Sequence, residues 1–211
     1  MTSAQFAYGI INIGKSVSTG KRLYQEVKEI SDSEEEIDYY ARRTDTFLNQ
    51  VYLEILRSNP PICKTHPSLL QSHPAPDPLL TSNLKNTGFT FPETTAMEKR
   101  IDGYLIPAGT NVLIDTLRLN KSSPLWGDTG HDFCPERWEH ITPSQARYSF
   151  LGYGMGPRKC LGKNFANIIL KLFLITVSQH FELHAGEGAI PIKRDRFTCM
   201  PEQLVVFEQR V

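Results

Sequence analysis

No apolar run in this sequence approaches the ~20 residues a helix needs to cross a bilayer, and no apolar leader follows the first methionine. The chain as written is therefore expected to be neither anchored by a transmembrane helix nor routed by a signal peptide. Charge of one sign is lacking too. Lysines and arginines number 23 and so do aspartates and glutamates, which argues against a nucleic-acid surface and against a polybasic membrane patch. Cysteine is scarce: Cys63, Cys134, Cys160 and Cys199 show no paired metal-ligand spacing and read as reduced thiols, not as a disulfide framework. His66 and His73 stand among prolines, which reads as loop and not as a zinc site. Internal repeats are absent.

The composition that remains is globular, with 40% apolar and 22% charged residues over 211 positions, enough for one domain with a sizeable core. Periodicity places a helix over residues 20–30, with Leu23, Val27 and Ile30 on one stripe. The acidic run Asp32, Glu34, Glu35, Glu36 and Asp38 reads as a solvated loop or as the first turn of the next helix, where negative charge is favoured. Residues 45–57 form a second helix, repeating Leu48, Val51, Tyr52, Ile55 and Leu56 at three and four until Asn59-Pro60-Pro61 ends it. From 61 to 100, prolines and Asn86-Thr87-Gly88 break every period, so an irregular insertion is expected. Gly103 and the turn Pro107-Ala108-Gly109 bracket short apolar strands in a hairpin-like pattern. A short helix over 116–120, a largely buried helix over 164–179 and a closing hairpin within 191–211 complete the expectation.

One stretch asks for more than packing. Cys160 ends the run Tyr153-Gly154-Met155-Gly156-Pro157-Arg158-Lys159, with Leu161-Gly162 and a helical segment after it. By itself a lone cysteine reads as a small buried hydrophobe. Glycines on both sides, however, let the backbone pass close to a flat macrocycle and allow a turn that points amide hydrogens at the sulfur. A thiolate that binds heme iron asks for such a layout. Tyr153, Gly156, Arg158, Cys160 and Gly162 fall in order on an aromatic, Gly, Arg, Cys, Gly pattern, and through it the chain resembles the cytochrome P-450 family. Tyr153 stands where that family usually has Phe, which adds a hydroxyl in need of a partner.

Two further motifs carry the resemblance. Glu54 and Arg57 lie on one helix face, and by spacing alone they read as a surface ion pair worth a few tenths of a kcal/mol. Yet Glu54-Ile55-Leu56-Arg57 resembles the family's Glu-x-x-Arg motif. Phe133-Cys134-Pro135-Glu136-Arg137-Trp138 resembles its Pro-Glu-Arg-Phe/Trp motif, so the resemblance implies that Glu54, Arg57 and Arg137 form one buried network behind the heme. The stretch from Gly103 to Thr110 is similar to a family strand pair, and residues 164–179 to the helix beneath the heme.

The fold class implied is mainly α with small β-sheets (α+β), the C-terminal heme-binding half of the cytochrome P-450 fold. Residues 1–44 would be a partial helical segment and 45–211 the heme-binding part. Heme would sit on Cys160 as axial iron ligand, with Tyr153, Gly156, Arg158 and Gly162 around it. Lys64, Lys99 and Arg100 are the cations available to a heme propionate, and Phe197 and Thr198 the implied substrate contacts. The implied activity is a monooxygenase inserting one oxygen atom from O2 into a small hydrophobic organic substrate in fungal secondary metabolism, with electrons from an NADPH-dependent flavoprotein reductase. The family's distal oxygen-activating motif, Ala/Gly-Gly-x-Asp/Glu-Thr, has no match near the start, so no catalytic residue is assigned. The alternative is a truncated, inactive fragment. A full-length relative would sit at the endoplasmic reticulum membrane; this chain, without a transmembrane segment, would be cytoplasmic.

Overall fold

The computed structural model describes residues 2–30, 33–60, 93–189 and 203–210. Cys63, Lys64, His66, His73, Phe197, Thr198 and Cys199 lie outside the described residues. The chain opens with helices α1 (Thr2–Lys15), α2 (Val17–Val27), α3 (Glu34–Arg42) and α4 (Phe47–Ser58). Of the acidic run, Glu34, Glu35 and Glu36 form the first turn of α3, at its positive end, and Asp38 follows within the helix, so for these residues the helical reading applies, while Asp32 lies outside the described residues. α4 begins at Thr46, whose hydroxyl accepts the Asn49 N–H at 3.1 Å. Glu26 of α2 adds its carboxylate to the N–H groups of Phe47 and Leu48, at 2.8 and 2.9 Å. Three donors that a helix start leaves open are satisfied in this way, two of them by a neighbouring helix's side chain reaching across.

The next described residue is Glu93, inside the stretch expected to be irregular up to Arg100. Strands β1 (Glu93–Thr94), β2 (Lys99–Ile101), β3 (Tyr104–Ile106) and β4 (Asn111–Val112) pair antiparallel, β1 with β4 and β2 with β3. A pairing partner remote in sequence is what hid β1: a two-residue strand carries no period of its own. β2 and β3 turn at Asp102-Gly103, both with positive φ (50° and 83°), as a two-residue hairpin demands.

Then follow α5 (Thr116–Ser122), 3-10 turns at Pro124–Trp126 and Pro135–Glu139, α6 (Pro143–Ala146), a 3-10 turn at Gly156–Arg158 and α7 (Lys163–His180). α7 runs straight into β5 (Phe181–Ala189), which pairs antiparallel with β6 (Gln203–Gln209), Phe181 facing Gln209 and Ala185 facing Val205. The closing hairpin expected within 191–211 therefore takes its first strand from further upstream. Phe181-Glu182-Leu183-His184 has a strand's alternation, but it follows a long helix without a breaker between them.

One core joins both ends of the chain. Leu23 and Val27 of α2, Leu48, Val51 and Ile55 of α4, and Leu174 of α7 belong to one cluster and are wholly buried. Each such aliphatic side chain contributes about 1.5–3 kcal/mol on burial. Helices before residue 45 thus share their core with those after it. A second cluster, Tyr52, Leu56 and Leu170, has Phe150 and Tyr153 packed against it and lies on the side of the cysteine loop. α7 is buried at Leu170, Lys171, Leu174, Ile175, Val177 and Ser178, but its first turn is not, and Phe165 there is 70% exposed. The expectation of a largely buried helix fails at that end. The architecture is mainly α with small antiparallel sheets. Among the described residues no helix is long and apolar enough to cross a membrane.

Candidate functional site

α4 presents Glu54 and Arg57 one turn apart on its inner face, and both are fully buried, which removes the surface-pair reading. A guanidinium has five N–H donors in a fixed fork, and a buried one needs an acceptor for each. Arg57 finds all five. Its Nε and Nη2 donate to Glu54 Oε2 and Oε1 at 2.8 and 2.7 Å. Nη1 donates to the carbonyls of Asn120 and Gly130 at 2.7 and 2.6 Å, and Nη2 also to that of Asp132 at 2.9 Å. Gly130 is constrained by this packing, because a Cβ there would run into the carbonyl oxygen of Lys121.

The Glu54 carboxylate is shared more widely. Oε1 also accepts the Cys134 N–H at 2.9 Å and Arg137 Nε at 3.1 Å, while Oε2 also accepts the Trp138 indole N–H at 3.0 Å. Arg137 donates onward to the Thr129 carbonyl at 2.8 Å. The structure thus brings Glu54, Arg57 and Arg137 together across 83 residues of chain. Trp138, the Cys134 amide and the Asn120 and Gly130 carbonyls join them without having been singled out. Of these, Cys134 and Trp138 lie in the stretch 133–138 that the motif already marked, Trp138 with one indole donor to satisfy. Its ring stands 5.6 Å from Trp126 and 5.2 Å from Phe150, so an aromatic row leads from the ion network to the second core cluster.

That cluster carries the cysteine loop. The loop is closed by the Cys160 N–H, which donates to the Tyr153 carbonyl at 2.9 Å. Between them Gly154 and Gly156 take φ of 73° and 70°, the left-handed region that side chains avoid. Arg158 ends the 3-10 turn Gly156–Arg158, and Gly162 caps α7, with the Ala166 N–H on its carbonyl at 2.8 Å. Cys160 and Arg158 are exposed, as are Met155, Leu161 and Phe165, so the thiol lies in a loop and helical turn whose apolar side chains are uncovered.

Tyr153 points the other way. Its hydroxyl accepts from Tyr52 at 3.0 Å, which supplies the partner that the Phe-to-Tyr departure called for. Burial pushes both phenols above their ordinary range, so neither ionises at neutral pH. Lys171 of α7 lies beneath, its Nζ donating to the Arg43 carbonyl at 2.8 Å and standing 5.4 Å from the Tyr52 ring. Burial pulls that amine down to about 8.

With the loop, the buried network and the helix behind them in place, comparison with known proteins is direct. The sequence model described as Cytochrome P450 matches residues 89–206, more than half of the chain. The chain belongs to the cytochrome P450 family. This cytochrome P450 chain is 45% identical over 96 residues to the cytochrome P450 monooxygenase lepD of Aspergillus flavus, covering 46% of this chain and 19% of that protein. It is 27% identical over 187 residues to asaD of the same fungus, covering 89% and 31%. To PUL2 of Kluyveromyces lactis it is 28% identical over 217 residues, covering 96% and 37%. The P450 chain thus spans between 19% and 37% of the length of these curated relatives. A zebrafish cytochrome P450 structure with abiraterone superposes with a TM-score of 0.69 at 22% identity, over 100% of this chain and 45% of that one, which shows the fold.

Proposed function

We propose that this chain is the heme-carrying part of a monooxygenase that inserts one oxygen atom from O2 into a small hydrophobic organic substrate in fungal secondary metabolism. One observation supports it above the others: an exposed thiol, Cys160, at the close of a left-handed glycine loop, with exposed Met155, Leu161 and Phe165 in the same loop and the helical turn after it. A single thiolate is a fitting donor for an iron whose equatorial ligands come from a porphyrin, and apolar side chains suit the macrocycle's flat surface. Heme, if bound, would supply the oxygen chemistry, and a thiolate donor would push electron density toward the iron.

The chain's own part is position. Cys160 would hold the iron; its amide is bound to the Tyr153 carbonyl and it stands ahead of the α7 N-terminus, where negative charge is favoured. A Cβ on Gly156 would meet nothing within 4 Å, and one on Gly162 would lie 4.0 Å from Cys160 Sγ, so the loop is open at Gly156 and Gly162 sits next to the sulfur. Arg158 supplies a cation at the same turn. Glu54, Arg57 and Arg137 hold the chain segments behind the loop in register. Electrons would come from an NADPH-dependent flavoprotein reductase, and a full-length relative would work at the endoplasmic reticulum membrane.

The test is the absorption spectrum of the heme-reconstituted chain, reduced under carbon monoxide. Thiolate ligation gives its diagnostic band, and Cys160→Ala abolishes it. A chain that stays colourless with heme supplied refutes the proposal for this product and supports the inactive fragment.

A further inference from the structure

We infer that Tyr52 is a positioning residue for the cysteine loop, latching it to α4 through the Tyr153 hydroxyl. The Tyr52–Tyr153 hydrogen bond, at 3.0 Å, joins residues 101 apart in sequence. Tyr52 is 3% exposed, so its hydroxyl has no solvent to fall back on and the bond to Tyr153 is what satisfies it. Tyr153 in turn has two attachments. Its hydroxyl is on Tyr52, and its carbonyl holds the Cys160 N–H at 2.9 Å. Displacing the Tyr153 side chain therefore displaces the acceptor that closes the loop on the cysteine. The backbone between them crosses two left-handed glycines, which offer little resistance of their own to such a shift.

Tyr52 is itself held from two sides. It sits two residues before Glu54, on the helix pinned by the ion network, and Lys171 of α7 lies 5.4 Å from its ring. The helix that anchors the buried charges and the helix that follows the cysteine thus meet the loop at one phenol. The functional meaning of this latch rests on Cys160 being the iron ligand, but the latch itself can be read without heme.

The experiment compares the full chain with Tyr52→Phe, Tyr153→Phe and the double variant. Amide hydrogen exchange over residues 153–160 and the rate of Cys160 alkylation by iodoacetamide are followed on the corresponding peptides. Each single variant leaves one phenol unpartnered, so loop exchange and alkylation should rise roughly 5–10-fold while α4 and the buried part of α7 keep their protection. The double variant lacks the same single bond and should lie within about twofold of the single variants, since the latch is already lost when either hydroxyl goes. Unchanged loop exchange in Tyr52→Phe overturns the inference. So does a rise shared equally by α4 and α7, or a double variant that exchanges like the starting protein. In heme-loaded protein all three variants should shift the ferric–ferrous midpoint potential in the same direction, and an unmoved potential overturns the ligand-positioning role. A chain that takes up no heme refutes the proposed function, and loop exchange then still decides for or against the latch.

Discussion

Arg57 and Glu54 meet through two parallel hydrogen bonds of 2.7 and 2.8 Å, with both side chains at 0% exposure. Neither charge has water to turn to, so each depends on the other and on the carbonyls and indole around them. A buried pair of this kind is costly to break and of little net value to create, because desolvation offsets most of the attraction. Its use here is to tie α4 to the segment from Asn120 to Trp138, which no apolar contact could orient as narrowly.

Glu54→Ala should destabilise the chain by about 3–5 kcal/mol in urea unfolding, since two guanidinium groups lose their carboxylate. Arg137→Ala should cost less, because the Glu54 carboxylate keeps both bonds to Arg57 and the Trp138 indole. The double variant should be much less damaging than the two costs added together. Strict additivity would show that the residues do not act as one unit.

Gly130→Ala should be among the most harmful small substitutions. The added methyl collides with the Lys121 carbonyl, and relieving that collision moves the Gly130 carbonyl off Arg57. Overpacking of this sort costs about 1–3 kcal/mol. Thermal unfolding of the variant measures it, and an unchanged midpoint would contradict the close approach.

Lys171 sets a pH dependence whose sign is fixed by burial. Its amine falls from the ordinary 10.5 to about 8 in the folded chain, while the unfolded chain keeps the ordinary value. Between those values the unfolded state binds more protons, so stability rises with pH from about 8 towards 10.5 and is lower, by a constant amount, below about 8. The rise is on the order of 2 kcal/mol. Lys171→Met should remove it, so unfolding free energies of the two proteins followed from about pH 7 to 10 should change relative to each other over that window. Above about pH 10 the comparison is confounded, because Tyr52 and Tyr153, whose phenols burial holds protonated, then favour the unfolded state as pH rises. A difference between the two proteins that is flat with pH would refute the account.

Much of this is legible in local chemistry alone. The α4 stripe of Leu48, Val51 and Ile55 repeats along one face, and its end is marked by prolines. The turn at Gly103 and the cysteine loop announce themselves by residues that a particular backbone requires. The demand of Tyr153 for a partner can be read as well, but not the partner. Nothing within several residues of Tyr52 marks it as the donor, because hydrogen-bond complementarity between distant segments has no period. The same reason hid β1, which exists only by pairing with β4, and the strand at 181–189, which follows a helix without a break.

The sequence by itself determined which side chains are chemically equipped to act: one cysteine between glycines, a carboxylate and two guanidinium groups at family spacing, and a phenol where a plain ring is usual. Only the tertiary structure decided that the ions are buried, that acceptors surround every donor of Arg57, that Phe165 stands exposed beside the loop, and that Tyr52 donates to the hydroxyl of Tyr153. The physical reason is that residue type is carried by each position alone. Burial and partnership are properties of the space between segments, and that space exists only after the chain has closed on itself.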